Sequence, residues 1–247
     1  MTEFSWYQNG DWIPRSELRL DPDDRGPKLG DQVVDVERTF GGKGFKLKEH
    51  IDRLYKSLAH VRIDPGLSAE EMLRITEEGI RRNWPLVPED SDLSITQLVT
   101  RGAGRARAWT AGPPNVYVKF VENNMAGWAD YYTEGVHGVI TKIRSYEPDT
   151  IDPKVKHQCR INMALAELEA NDVDPGAWPI LSDKDGNLTE GSGYNVFMIE
   201  RGALRTPTDR ATLAGISRET VLELARKLGI PTAEEDLQPY DLYTADE

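Results

Sequence analysis

The sequence predicts an α+β protein of two domains, and three observations lead there. Strand-like and helix-like segments are mixed along the chain without the regular βαβ alternation of a doubly wound sheet. The periodic pattern weakens between Glu122 and Glu134, around Asn123-Asn124 and Gly127, and then resumes. The chain has 247 residues, 38% hydrophobic and 29% charged, enough for one large domain or two modest ones. The boundaries that follow are a small domain at 1–126, a linker at 127–134 and a larger domain at 135–247.

The elements are read in chain order. Asn9-Gly10 lies between two short aromatic and β-branched runs, Trp6-Tyr7 and Trp12-Ile13, which reads as a β-hairpin. A second strand pair is expected at 33–39 and 44–47, turning at Gly41-Gly42. Ile51, Leu54, Leu58 and Val61 fall at helical spacing across 48–61. A further helix follows Ser68, an N-cap with Glu71 at the capping-box position, and runs to about Arg82. Residues 95–100 and 116–121 are strand-like. In the second half, 135–143, 180–182 and 195–199 read as strands and 161–170 as a helix. The clearest helix lies after Ser217, with Val221, Leu222, Leu224, Ala225 and Leu228 on its apolar face and Gly229 as its stop.

Composition narrows the function. A net charge of −12 argues against a nucleic-acid partner and suits a cytoplasmic protein. The single cysteine, Cys159, excludes an internal disulfide framework. The start Met-Thr-Glu-Phe-Ser-Trp lacks the pattern of a signal peptide, and no apolar stretch approaches the ~20 residues of a membrane span. His50, His60, His137 and His157 are scattered and no HExxH pair exists, so no metal site is expected.

Three segments could carry chemistry. Leu213-Ala214-Gly215-Ile216-Ser217-Arg218 leads into a helix, and the free N–H groups of such a start form a phosphate site. Taken alone, the simpler reading is a well-capped helix. Thr189-Glu190-Gly191-Ser192-Gly193-Tyr194-Asn195 sets an acid beside two glycines that permit close backbone approach; taken alone it is a glycine-rich turn. Gly102-Ala103-Gly104 has two glycines of a dinucleotide fingerprint but lacks the third, and is discarded. The loop around Lys154 and Lys156 holds two lysines, and such residues are usually solvated.

In this order, with Arg53 in Glu49-His50-Ile51-Asp52-Arg53-Leu54 and the closing Ala245-Asp246-Glu247, these segments resemble the fold-type IV pyridoxal-phosphate enzymes. That family includes branched-chain and D-amino-acid aminotransferases, (R)-amine transaminases and aminodeoxychorismate lyase. The resemblance runs from about Trp6 to the last residue. It implies the two-domain D-amino-acid aminotransferase-like fold, with 135–247 as the cofactor-binding domain, and several dozen family residues beyond the position of Glu247. It also implies roles. Lys156 would form the internal aldimine with pyridoxal 5′-phosphate and shuttle the substrate proton, and Lys154 is the weaker choice for this. Glu190 would hold the pyridine nitrogen protonated. Arg53 would pair with the cofactor phosphate, the N–H groups of Ile216 and Ser217 would bind the same group, and Leu213 would pack on the ring. The active species would be a homodimer.

Substrate choice is read from two places. The stretch from Val99 to Arg107 resembles the carboxylate-binding loop of D-amino-acid and (R)-amine transaminases, with Arg105 and Arg107 as the binding pair; its plain reading is a flexible basic loop. Val34 stands where relatives carry an aromatic residue that lines the substrate pocket. The resulting expectation is a transaminase passing an amino group from a small amino acid or amine to a 2-oxo acid. The alternatives are a pyruvate-releasing lyase acting on aminodeoxychorismate, or a cofactor-binding fragment without turnover.

Overall fold

The computed structural model describes residues 3–104 and 107–247. The chain divides into two compact units. One comprises Met1–Ala129 with Lys156–Cys159, the other Asp130–Val155 with Arg160–Glu247.

The first unit opens with β1 (Ser5–Gln8) and β2 (Asp11–Pro14), an antiparallel hairpin. Asn9 and Gly10 both take positive φ, 51° and 108°, as a two-residue turn between twisted strands requires. A one-and-a-half-turn helix, α1 (Arg25–Leu29), is capped by Asp24, whose carboxylate accepts from the Gly26 N–H. Then come β3 (Gln32–Phe40), β4 (Lys43–Gly44), α2 (Leu47–Val61) and α3 (Ala69–Asn83). The strand expected at 44–47 is only two residues long, because Lys46 turns the chain at φ 47° and α2 starts at once. The capping box before α3 is present: the Ser68 N–H donates to Glu71 and the Glu71 N–H donates back to the Ser68 hydroxyl.

With β5 (Asp92–Thr100) and β6 (Asn115–Asn123), these strands form one six-stranded sheet in the order β2-β1-β6-β5-β3-β4. Every pairing in it is antiparallel. Helix α2 packs on β3 and α3 on β1 and β6. Ile51, Leu54, Leu58, Met72 and Ile80 are buried, as are Val33, Ile95 and Phe120 of the strands. The approach of α3 is close enough to need a glycine: a Cβ on Gly79 would lie 1.9 Å from the Phe120 ring.

The second unit contains β7 (Gly138–Arg144), α4 (Ile161–Val173), β8 (Trp178–Ser182), β9 (Met198–Glu200), β10 (Ala203–Pro207), α5 (Ile216–Lys227), β11 (Thr232–Glu235) and α6 (Pro239–Thr244). Two pairings are parallel, β7 with β8 and β10 with β11, each bridged in sequence by a helix. The strand expected at 195–199 is shorter and later, and β10, β11 and α6 lie in stretches with no strong periodicity. Leu188, Met198 and Leu237 form a buried cluster with Ile140, Ile180, Leu242 and Ala245 packed on it. The closing residues are part of this unit: the Asp246 N–H donates to the Ile199 carbonyl and the Ile199 N–H to the Glu247 carbonyl. Among the described residues, no helix is long and apolar enough to cross a membrane.

Candidate active site

Strand alternation decides what each face of β3 carries. Val33, Asp35, Glu37 and Thr39 point to one side, where the buried faces of α2 and α3 lie, and Val34 points to the other. Asp35 is fully buried and meets two residues one helical turn apart on α2. Arg53 Nε donates to one carboxylate oxygen at 2.8 Å and a terminal guanidinium nitrogen to the other at 2.7 Å. His50 Nδ1 lies 2.7 Å from Asp35 Oδ1. Burial pushes the Asp35 carboxyl upward, but hydrogen bonds from His50 and Arg53, with the guanidinium charge, hold it below the usual carboxylate range. Arg53 is thereby fixed in a two-pronged pair, which restricts its rotamers.

Lys156 belongs to the same unit. Its N–H donates to the Ser57 hydroxyl at 3.1 Å and its carbonyl accepts from the Val34 N–H at 2.9 Å. His157 bridges to Val33, and the Cys159 thiol donates to the Gly30 carbonyl. The main chain at Lys156 is thus held against β3 and α2, and the residue is half-buried. Lys154 is exposed and pairs with Asp152 at 3.4 Å.

In the second unit, the two glycine-containing segments meet through side chains. Glu190 is buried; its Oε1 accepts from the Leu213 N–H at 3.1 Å and its Oε2 from Asn195 Nδ2 at 3.3 Å. The Asn195 side-chain Oδ1 faces Gly215, where a Cβ would lie 2.4 Å away. Gly215 is the N-cap of α5 and no side chain caps the helix, so the capped start that was the simpler reading of this segment alone is not what forms. The turn leading to Glu190 is anchored by Asp183, which accepts from Asn187 at 2.8 and 2.9 Å and from Arg210 at 2.7 Å.

A family model described as Amino-transferase class IV matches residues 32–247. The chain belongs to the class IV aminotransferases. A putative branched-chain-amino-acid aminotransferase of Methanocaldococcus jannaschii is 34% identical over 245 residues, covering 98% of this chain and 81% of that protein. A D-alanine aminotransferase of Listeria monocytogenes is 28% identical over 243 residues, 97% of this chain and 80% of that protein. The fold matches the crystal structure of a branched-chain aminotransferase of the thermophilic archaeon Thermoproteus uzoniensis with norvaline. The TM-score is 0.88 at 25% identity, covering all of this chain and 82% of that one. The two-domain α+β fold-type IV architecture is therefore that of this chain, and its enzymatic class is transaminase.

Class IV aminotransferases depend on pyridoxal 5′-phosphate, and this chain's residues suit that group. An uncapped helix start with a glycine N-cap offers N–H donors to a phosphate. Glu190, oriented by two hydrogen bonds, offers a carboxylate to a ring nitrogen. Of the residues expected to read substrate, Arg105 lies outside the described residues. Arg107 is exposed, with its guanidinium 5.7 Å from the ring centroid of the equally exposed Trp109. Val34 is buried among Leu98 and Tyr117, with Leu18 against them. Sequence reading missed Asp35, His50 in its contact with Asp35, and Asn195 as the link between the segments. Alternating acids at Asp35 and Glu37 in a valine-rich strand were the available sign, since such a face must bury charge. Donor atoms of Asp35, Glu37 and His50 lie within 4.8 Å of one another, a grouping the scattered histidines gave no reason to expect.

Proposed function

We propose that this aminotransferase exchanges an amino group between an apolar α-amino acid and a 2-oxo acid, with Lys156 as the residue that attaches the cofactor. The observation carrying the lysine assignment is the contrast between Lys154 and Lys156, the two lysines of one loop. Lys156 has its main chain tied to Ser57 and Val34, which fixes where its side chain starts, whereas Lys154 is exposed and paired with Asp152. A group that must deliver a proton to one atom needs a fixed origin.

Bound, the cofactor supplies an electron-accepting ring that makes a substrate Cα proton removable. Lys156 takes that proton and returns it on the product side. Glu190 holds a proton on the ring nitrogen, and Asn195 with the Leu213 N–H keep its carboxylate aimed. Arg53 and the N–H groups of Ile216 and Ser217 bind the phosphate, and Leu213 supports the ring. The amino-acid class of donor is supported by the names of the relatives, branched-chain and D-alanine aminotransferases. Arg105 and Arg107 are the groups we assign to the donor's carboxylate and Val34 to its side chain. The same reading makes the active species a cytoplasmic homodimer, which sedimentation of active protein checks.

The test is a pair of variants. Lys156→Ala removes the visible absorbance band of the lysine-attached cofactor and leaves the melting temperature of the apo-protein within a few degrees. Lys154→Ala keeps the band. The opposite pattern assigns attachment to Lys154.

A further inference from the structure

The buried side of β3 carries two carboxyls, and only one is matched by a cation. Asp35 has both oxygens on Arg53, and one of them also on His50. Glu37, two residues on and 4% exposed, has no such partner among the described residues. One of its oxygens accepts from Gln97 Nε2 of β5, which also donates to the Thr76 hydroxyl of α3 at 3.0 Å. That hydroxyl passes its own hydrogen to the Met72 carbonyl at 2.9 Å. The other oxygen, Glu37 Oε2, and the Gln97 carbonyl oxygen are buried without a partner among the described residues.

The charged and titratable groups around Glu37 are few among the described residues. They are Asp35 on its own strand and His50 and Arg53 on α2; α3 and β5 contribute the neutral Thr76 and Gln97. A negative Glu37 would be a second buried anion beside the guanidinium that already meets Asp35, whereas a protonated Glu37 adds no charge to that pair. Burial, and then the neighbouring Asp35 charge, push the Glu37 carboxyl up to about 8, against the Gln97 hydrogen bond and the Arg53 charge that pull it down. The group is therefore neutral at neutral pH and ionises in mild alkali. A bound cation between Asp35, Glu37 and His50 is a poorer account, because Arg53 already holds both Asp35 oxygens.

We propose that Glu37 is a positioning residue for Arg53: uncharged, it leaves Asp35 as the guanidinium's buried counter-charge, and ionised, it adds a second negative charge there and weakens phosphate binding. The inference rests on the reading that Arg53 binds the cofactor phosphate. It makes cofactor affinity fall in mild alkali through a group that touches neither cofactor nor substrate. Glutamine at this position keeps the shape and the neutral charge at every pH.

The experiment measures dissociation constants of pyridoxamine 5′-phosphate, which carries the phosphate but no aldehyde for Lys156. It compares wild type with Glu37→Gln at about pH 6.5 and about pH 9.5, either side of the ionisation. The wild type should weaken about tenfold more than the variant across that interval, and the two should agree at the lower pH. A ratio that stays within about twofold overturns the role of Glu37. Arg53→Ala tested alongside should lose a large part of the wild type's preference for pyridoxamine 5′-phosphate over unphosphorylated pyridoxamine, the N–H groups of Ile216 and Ser217 keeping the rest. If it still discriminates between the two as wild type does, the phosphate reading of Arg53 fails instead. Infrared difference spectra of wild type give a check that does not need the Glu37→Gln protein. A protonated carboxyl band present at the lower pH should vanish at the higher and be absent from an otherwise folded Glu37→Leu protein; a band unchanged between the two pH values also overturns the inference.

Discussion

Glu190 Oε1 accepts a hydrogen bond from the Leu213 backbone N–H at 3.1 Å, joining two segments 23 residues apart in sequence. One segment carries the acid and the other leads into the start of α5. The bond ties the direction of the carboxylate to the position of the helix start. On the roles proposed for these segments, this fixes the distance between the group assigned to the ring nitrogen and the N–H groups assigned to the phosphate.

Glu190→Gln should therefore leave the fold and cofactor retention largely intact, because a glutamine oxygen can still accept from the Leu213 N–H. It should lower turnover by orders of magnitude, since a neutral amide does not stabilise a protonated ring nitrogen. Cofactor content by absorbance and single-turnover rates on the same preparation separate the two effects. Wild-type turnover in the variant removes Glu190 from the role assigned here.

Gly215→Ala tests the same junction from the other side. Its φ of −69° suits alanine, so any loss is steric: the new Cβ would fall 2.4 Å from the Asn195 side-chain oxygen. Asn195 must move, and with it the hydrogen bond to Glu190 Oε2. The expected result is cofactor affinity lower by about tenfold, or ~1.4 kcal/mol. Asn195→Ala in the same background should restore part of it by removing the clash, as equilibrium dialysis would show.

Much of the first unit was legible because its signals are local. Asn9-Gly10 demands a tight hairpin, and Ser68 with Glu71 marks a helix start wherever the rest of the chain goes. What could not be read were pairings between distant residues. The resemblance gave Arg53 a phosphate to bind, but nothing local announced its buried contact with Asp35, 18 residues earlier on another element. In the second unit, β9 is three residues long and β10 carries Arg205 between Leu204 and Thr206, so neither shows a hydrophobic period. Arg205 is held there by Glu200 and Glu235, acids contributed by the neighbouring strands β9 and β11. The family motifs were visible as words in the sequence. The bond from Asn195 to Glu190 was not, because only the folded turn brings the two side chains together.

Stability should report the ionisation of Glu37 independently of any ligand. The folded carboxyl is raised to about 8 from an ordinary value of 4.5, chiefly by burial. The folded state then binds the proton more tightly than the unfolded one. The stabilisation this gives is complete below the unfolded value and is lost as pH rises through the folded value. Relative to Glu37→Gln, wild type should lose up to about 1.4 kcal/mol per pH unit across that interval, and nothing further above it. Urea unfolding of both apo-proteins at several pH values measures the difference. A difference independent of pH would mean that Glu37 ionises normally in the folded protein.

The arginine loop gives the prediction that bears on substrate. Arg107 is exposed beside Trp109, as a residue ready to meet an incoming carboxylate would be, and equally as a solvated arginine would be. Kinetics distinguish the two. If Arg107 or Arg105 holds the donor's α-carboxylate, alanine at that position should lower kcat/KM for amino acids roughly ten- to a hundred-fold, the worth of a charge-assisted bond of ~1.5–3 kcal/mol. Amines that match the same side chains but lack the carboxylate should be unaffected. Lysine should recover only part of the loss, because an ammonium cannot offer two parallel N–H donors to two oxygens. The measurement is a set of amino acids and matched amines run on wild type, Arg105→Ala, Arg107→Ala and the two lysine variants. Equal losses for both donor classes would make the loop a structural element that does not read the substrate. A loss confined to amino acids at one position alone would identify which arginine carries the carboxylate.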